Sequence, residues 1–139
     1  MNSPSEDIKD LLVTEEIGVF AATTGWGIYT VVEPDKPDQT ITLTDSTGGN
    51  REQTHHDYLT TPPVRYDPVR IKIRARTYAV AYAKAEEILE VFRVNKNITL
   101  SGTLYGTIRI VEGIVQEIKD DKGRFTCRIL VEPVRQEGT

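Results

Sequence analysis

The chain has one cysteine, Cys127, which excludes an internal disulfide and any cysteine-based zinc site. It has two histidines, His55 and His56, and no third to complete an imidazole metal set. No apolar run approaches the ~20 residues that a membrane-spanning helix needs. The opening MNSPSEDIKD is acidic and polar and lacks the basic and apolar regions of a secretory leader. The expected place of synthesis is therefore the cytosol, with no membrane partner. There is no positive excess either: the net charge is −4, which disfavours wholesale binding to nucleic acid. Aromatic residues are 7% of the chain and do not interleave with its basic positions, so a single-strand stacking platform is not indicated. Internal repeats and low-complexity tracts are also missing.

What is present is the composition of a soluble domain. The 139 residues fit one domain with one core, and 38% are hydrophobic and 27% charged. The apolar share is slightly lean, which suits a fold whose surface is completed by partner chains.

Ser3, Pro4 and Glu6 form a capping box with proline at the first helical position. Ile8, Leu11, Leu12 and Ile17 then recur at helical spacing, and Gly18 is the expected stop. Gly25 and Gly27 mark a turn around Trp26, and Ile28 to Val32 reads as a strand. Pro34 and Pro37 bracket a polar link, after which Thr40 to Thr44 alternates with Ile41 and Leu43 inward. Residues 45–50, DSTGGN, end that strand. From 50 to 67 no periodicity is visible, and the segment reads as a mobile loop or arm.

The strongest pattern lies at 69–92. Ile71, Ile73 and Ala75 alternate with Arg70, Lys72, Arg74 and Arg76, predicting a strand with an apolar and a basic face. The period then changes to that of a helix, with Tyr78, Ala81, Tyr82, Ala85, Ile88, Leu89 and Phe92 on one stripe and Glu86, Glu87 and Glu90 opposite. Beyond it come a short strand at Ile98–Leu100, a longer one at Thr107–Ile118 with a bend at Gly113, and a KDDKG turn at 119–123. A returning strand at Arg124–Val134 places Phe125, Cys127, Ile129 and Val131 inward, and 135–139 should fray. The expected class is α+β: a mostly antiparallel β-sheet with two helices packed on one face, in the order α-β-β-loop-β-α-β-β.

No catalytic constellation emerges. DSTGGN lacks the Walker lysine and a following helix, so it reads as a turn rather than a phosphate nest. His55, His56 and Asp57 are adjacent residues of a polar loop and diverge on a regular backbone. An enzyme would have to draw on these and Asp67 alone. Cys127 lies on an apolar strand face and reads as core. No cofactor, metal or catalytic residue is expected. The basic face of 70–76 is either solvated and paired with glutamates such as Glu112, Glu117 or Glu132, or it meets an acidic neighbour or passing nucleic acid.

Two stretches carry a family resemblance. PDKPDQTITLTDSTGG at 34–49 and PVRIKIRARTYAVAYAKAEEI at 68–88 resemble the minor capsid and tail terminator proteins of long-tailed, siphovirus-type phages. The resemblance implies a structural virion protein at the head-proximal end of the tail, assembled in the host cytoplasm. It implies a hexameric ring that stops tube polymerisation, meets the tail-tube protein and joins head-completion or neck proteins, with DNA passing through the hole. The alternative is a head–tail connector that binds the portal and adaptor complex. On this sequence the subunit-interface or channel candidates are Arg70, Lys72, Arg74, Arg76, Glu86, Glu87 and Glu90. The tube-docking candidates are Arg51, His55, His56, Asp57 and Tyr58.

Overall fold

The computed structural model describes residues 3–46, 50–52 and 64–136, with the side chains of 50–52, 64–66 and 136 left out. The fold is α+β. Its elements are α1 (Pro4–Thr14), β1 (Val19–Phe20), β2 (Gly27–Thr30), β3 (Thr40–Asp45), β4 (Asn50–Glu52), β5 (Val64–Tyr66), β6 (Val69–Ala75), α2 (Tyr78–Val94), β7 (Ile98–Leu100), β8 (Thr103–Gln116) and β9 (Phe125–Gln136). All strands join one nine-stranded sheet in the order β1-β2-β3-β6-β9-β5-β4, with β8 on the other side of β9 and β7 on β8. Among the described residues only β1–β2 and β2–β3 are parallel.

Helix α1 begins as expected, with the Ser3 side chain accepting from the Glu6 amide. It ends before Gly18. Glu16 takes the left-handed conformation (φ 58°), its amide bonds to the Val13 carbonyl, and the Ile17 amide bonds to the Leu12 carbonyl. That pair of bonds is a Schellman cap with glutamate where glycine is usual. It turns Ile17 back into the core, where it is 8% exposed.

Register fixes which residues share a face. Ile41 faces Ile73 and Leu43 faces Ile71 across β3–β6, and Ile73 and Ile71 face Cys127 and Ile129 across β6–β9. These side chains meet Ile8, Leu11 and Leu12 of α1 and Ala81, Ala85, Ile88, Leu89 and Phe92 of α2 in one buried cluster. Both helices therefore cover the same face, and Lys84 of α2 donates to the carbonyl of Ile17 just after α1 (3.2 Å). Tyr82, expected inside the helix stripe, is 40% exposed at its rim.

Residues expected to be loop at 50–67 are partly strand. β5 continues β6 along β9 in unbroken register, with Tyr66 opposite Val134 and Val69 opposite Val131. β4 pairs with β5 and extends the ladder as an arm, while 53–63 lie outside the described residues. The predicted frayed end is also shorter: Arg135 is 3% exposed in β9. Short paired segments such as NRE and VRY carry no alternation long enough to read from sequence.

Candidate assembly surfaces and their charge network

The face of the sheet away from the helices carries the basic ladder of β6, but its members have different surroundings. Because β2 and β3 are parallel, the connection 31–39 must run back along the strands without a helix. An extended link of this kind leaves carbonyls without ladder partners. Arg74 supplies the donors. Its guanidinium bonds to Glu33 Oε1 (2.8 Å) and to the carbonyls of Pro34 (2.8 Å), Pro37 (2.8 Å), Asp35 (3.2 Å) and Asp38 (3.3 Å). Arg74 is 2% exposed and fully engaged inside its own chain. This corrects its assignment to an interface or channel surface.

Arg124, 7% exposed at the start of the β9 arm of the hairpin, grips the same link. It bonds to the Asp35 carbonyl, to Asp120 Oδ2 (2.8 Å), and more loosely to the Asp35 and Asp38 carboxylates (3.3 and 3.5 Å). Lys122 pairs with Asp35, and Arg76 with Asp38 at 2.6 Å. These contacts lower the carboxyl pKa values below the usual range. Lys122 is the main cause at Asp35, with Arg124 adding to it; Arg76 is the main cause at Asp38; for Asp120 it is the Arg124 backbone amide. The acidic, proline-bracketed link and the basic strand are thus one folded unit.

The remaining candidates are more open. Lys72 shares Glu33 with Arg74 at 3.4 Å, and Arg70 is exposed with no ion pair among the described residues. Arg76 keeps 82% of its side chain exposed despite Asp38. On α2, Glu87 pairs with Lys84 (2.9 Å) and Glu90 with Arg93 (3.5 Å), while the neighbouring Glu86 carboxylate raises the pKa of the Tyr82 phenol. The basic ladder and the acidic helix face lie on opposite layers, so the fold does not bring them together. Arg51 stands in β4, its side chain outside the described set; His55, His56, Asp57 and Tyr58 lie outside the described residues.

Sequence reasoning missed three anchors. Asp45, read as a turn residue, accepts from the Ser5 amide (3.0 Å) and hydroxyl (2.9 Å), tying the positive end of α1 to β3. Asp7 and Tyr105 are completely buried, and the Tyr105 hydroxyl donates to Asp7. Burial, followed by that carboxylate, pushes the phenol pKa well up. Arg135 meets Asp67 at 2.9 Å where β5 passes into β6. A signal existed for Asp35, Asp38 and Arg74, namely charges of opposite sign in neighbouring segments. Nothing local marked Asp7 with Tyr105, which are far apart in the chain. Cys127 is buried, and burial, then the nearby Glu117 charge, raises its thiol pKa.

The family model described as bacteriophage tail terminator protein matches residues 9–131. The chain belongs to the bacteriophage tail terminator family. It is a structural component of the phage virion and not an enzyme. A solved chain described as part of the virion of a native gene transfer agent particle has the same fold. Its TM-score is 0.58 at 12% identity, with 79% of this chain and 78% of that one covered. No curated protein matches. Within this family member, the first stretch that carried the resemblance has structural jobs: 34–39 is the link held by Arg124 and by Arg74 of the second stretch, and Asp45 is the anchor of α1.

Proposed function

We propose that this protein closes the head-proximal end of a phage tail tube as a ring of identical copies, six by resemblance to its family. It ends tube polymerisation and offers the surface on which head-completion or neck proteins join, and DNA passes through its hole. The match to the tail terminator family over 9–131 carries this reading. The arm of β4 and β5, which extends past the helix-covered part of the sheet and carries Arg51, is the proposed tube-docking element together with the segment around His55, His56, Asp57 and Tyr58. Arg70, Lys72, Arg76, Glu86, Glu87 and Glu90 remain the proposed contact residues between copies or toward the channel.

The test adds purified protein to polymerising tail-tube protein of the same genome and images the products. Tubes that shorten as the protein is added, with density on one end, are the expected outcome. Binding to the portal complex with no effect on tubes would replace the terminator role with a connector role.

A further inference from the structure

Register sorts the charges of the β4–β5 arm. Arg51 stands opposite Arg65, Arg65 opposite Arg135 of β9, and Arg135 opposite Tyr105 of β8. One row thus crosses the arm with three arginine positions side by side and enters the body of the sheet at Tyr105, which is completely buried. Directly opposite residues share a face, about 4.5–5.5 Å apart at Cβ, and like charges there repel. Glu52 does not answer them. It stands in the next row, opposite Val64 and then Gln136, and successive rows alternate between the two faces. The row on the other side, Asn50, Tyr66 and Val134, is uncharged.

Each pairing of the arm is only three residues long. Short ladders of this kind open at low free-energy cost, so a local charge effect can decide whether they stay closed. Repulsion along the arginine row acts at the β5–β9 pairing, where the arm joins the sheet.

Asp67, at the joint between β5 and β6, meets this row. Its Oδ2 takes both Nε (3.1 Å) and Nη2 (2.9 Å) of Arg135. The pair is largely out of water, with the side chains of Arg135 and Asp67 3% and 15% exposed. A guanidinium at that depth without its carboxylate is strongly destabilising, and moving the end of β9 toward water relieves it. The joint is also held from its other side. The Ser46 amide donates to the Pro68 carbonyl (2.9 Å), beside Asp45, which takes the amide and hydroxyl of Ser5. Tyr105, opposite Arg135, donates to Asp7. The first turn of α1 is therefore tied, through Ser5 and Asp7, to the strands that flank the root of the arm.

We infer that Asp67 is the counter-ion of the arginine row and a positioning residue of the arm. It neutralises the row at its root and so keeps β5, and β4 upon it, paired to β9. This inference rests on the tube-docking role proposed for the arm and names what holds the arm in place for it.

The test is amide hydrogen exchange of the 139-residue chain as the parent, as Asp67→Asn, and as Asp67→Asn with Arg65→Gln. Asparagine keeps the shape of aspartate and loses its charge. In Asp67→Asn the amides of 64–66 and 134–136 should exchange about tenfold or more faster than in the parent, while those of β6 and α2 keep their protection. Adding Arg65→Gln removes one of the facing charges and should recover part of the lost protection. Equal loosening of arm and core overturns the inference, because Asp67 would then be a general stabiliser. An unchanged arm overturns it too, as does a loosened arm that Arg65→Gln fails to tighten. The same variants are imaged with polymerising tail-tube protein. If Asp67→Asn loosens the arm and still caps tubes, the docking role of the arm fails and the counter-ion role stands. If its arm stays paired and tubes are capped, the counter-ion role fails and the docking role stands.

Discussion

Arg70 and Arg74 stand on the same face of the same strand and have opposite surroundings. Arg74 is 2% exposed and engages its guanidinium with Glu33 and the carbonyls of Pro34, Asp35, Pro37 and Asp38; Arg70 is exposed, with no ion pair among the described residues. The strand alternation that placed both on one face is identical. What differs is the link 31–39, which folds back over one end of the sheet and leaves the other end bare. A ladder of like charge is thus half scaffold and half surface. Arg70 and Arg76 stay exposed at its two ends, and buried Arg74 between them keeps the sheet's end in shape.

The largest expected effect breaks this contrast directly. Arg74→Ala orphans the carbonyls of Pro34 and Pro37 and leaves Glu33 to Lys72 alone, and should cost about 3–5 kcal/mol, as breaking a buried charged network does. Arg70→Ala should stay within about 0.5 kcal/mol, as surface changes usually do. Urea unfolding of the two variants checks both, and equal losses would erase the distinction. Replacing Arg74 by Glu would damage the fold before it could report on assembly.

A smaller effect is expected at the other buried polar site. Tyr105→Phe removes the hydroxyl that donates to buried Asp7 and should cost about 1–3 kcal/mol. Comparing Asp7→Asn, Tyr105→Phe and the double variant gives the coupling between the two side chains, and zero coupling would remove the pair as an anchor.

The smallest effect is in acid. Asp35, Asp38 and Asp120 have folded pKa values below their ordinary 3.8. As pH falls below that ordinary value the unfolded chain takes up protons before the folded one, and stability drops. The contribution is therefore in place above about pH 4 and lost as pH falls through the folded values. Urea midpoints measured from pH 6 down to pH 3 should fall less for Asp35→Asn with Asp38→Asn than for the parent. Parallel curves would remove the link from the acid response.

Much of the fold was legible along the chain. The strand at β6 and the helix α2 announced themselves by a change of hydrophobic period at Tyr78, and the KDDKG turn fixed the β8–β9 hairpin. Strand β2 ended earlier than its β-branched run implied, because Val31 turns out of the ladder at φ 72°. The arm β4–β5 was invisible, since its paired segments are short and are aligned by the strands they extend.

By itself the sequence determined which side of each element is apolar, since alternation and helical period act on neighbouring residues. It also determined where α1 starts, through side chains that cap their own backbone. Only the tertiary structure decided which basic residues are buried, that Asp45 holds α1, and that Asp7 meets Tyr105. Each of these joins residues far apart in the chain. Such a contact depends on which surfaces the packed layers bring together, and no local pattern encodes that distance.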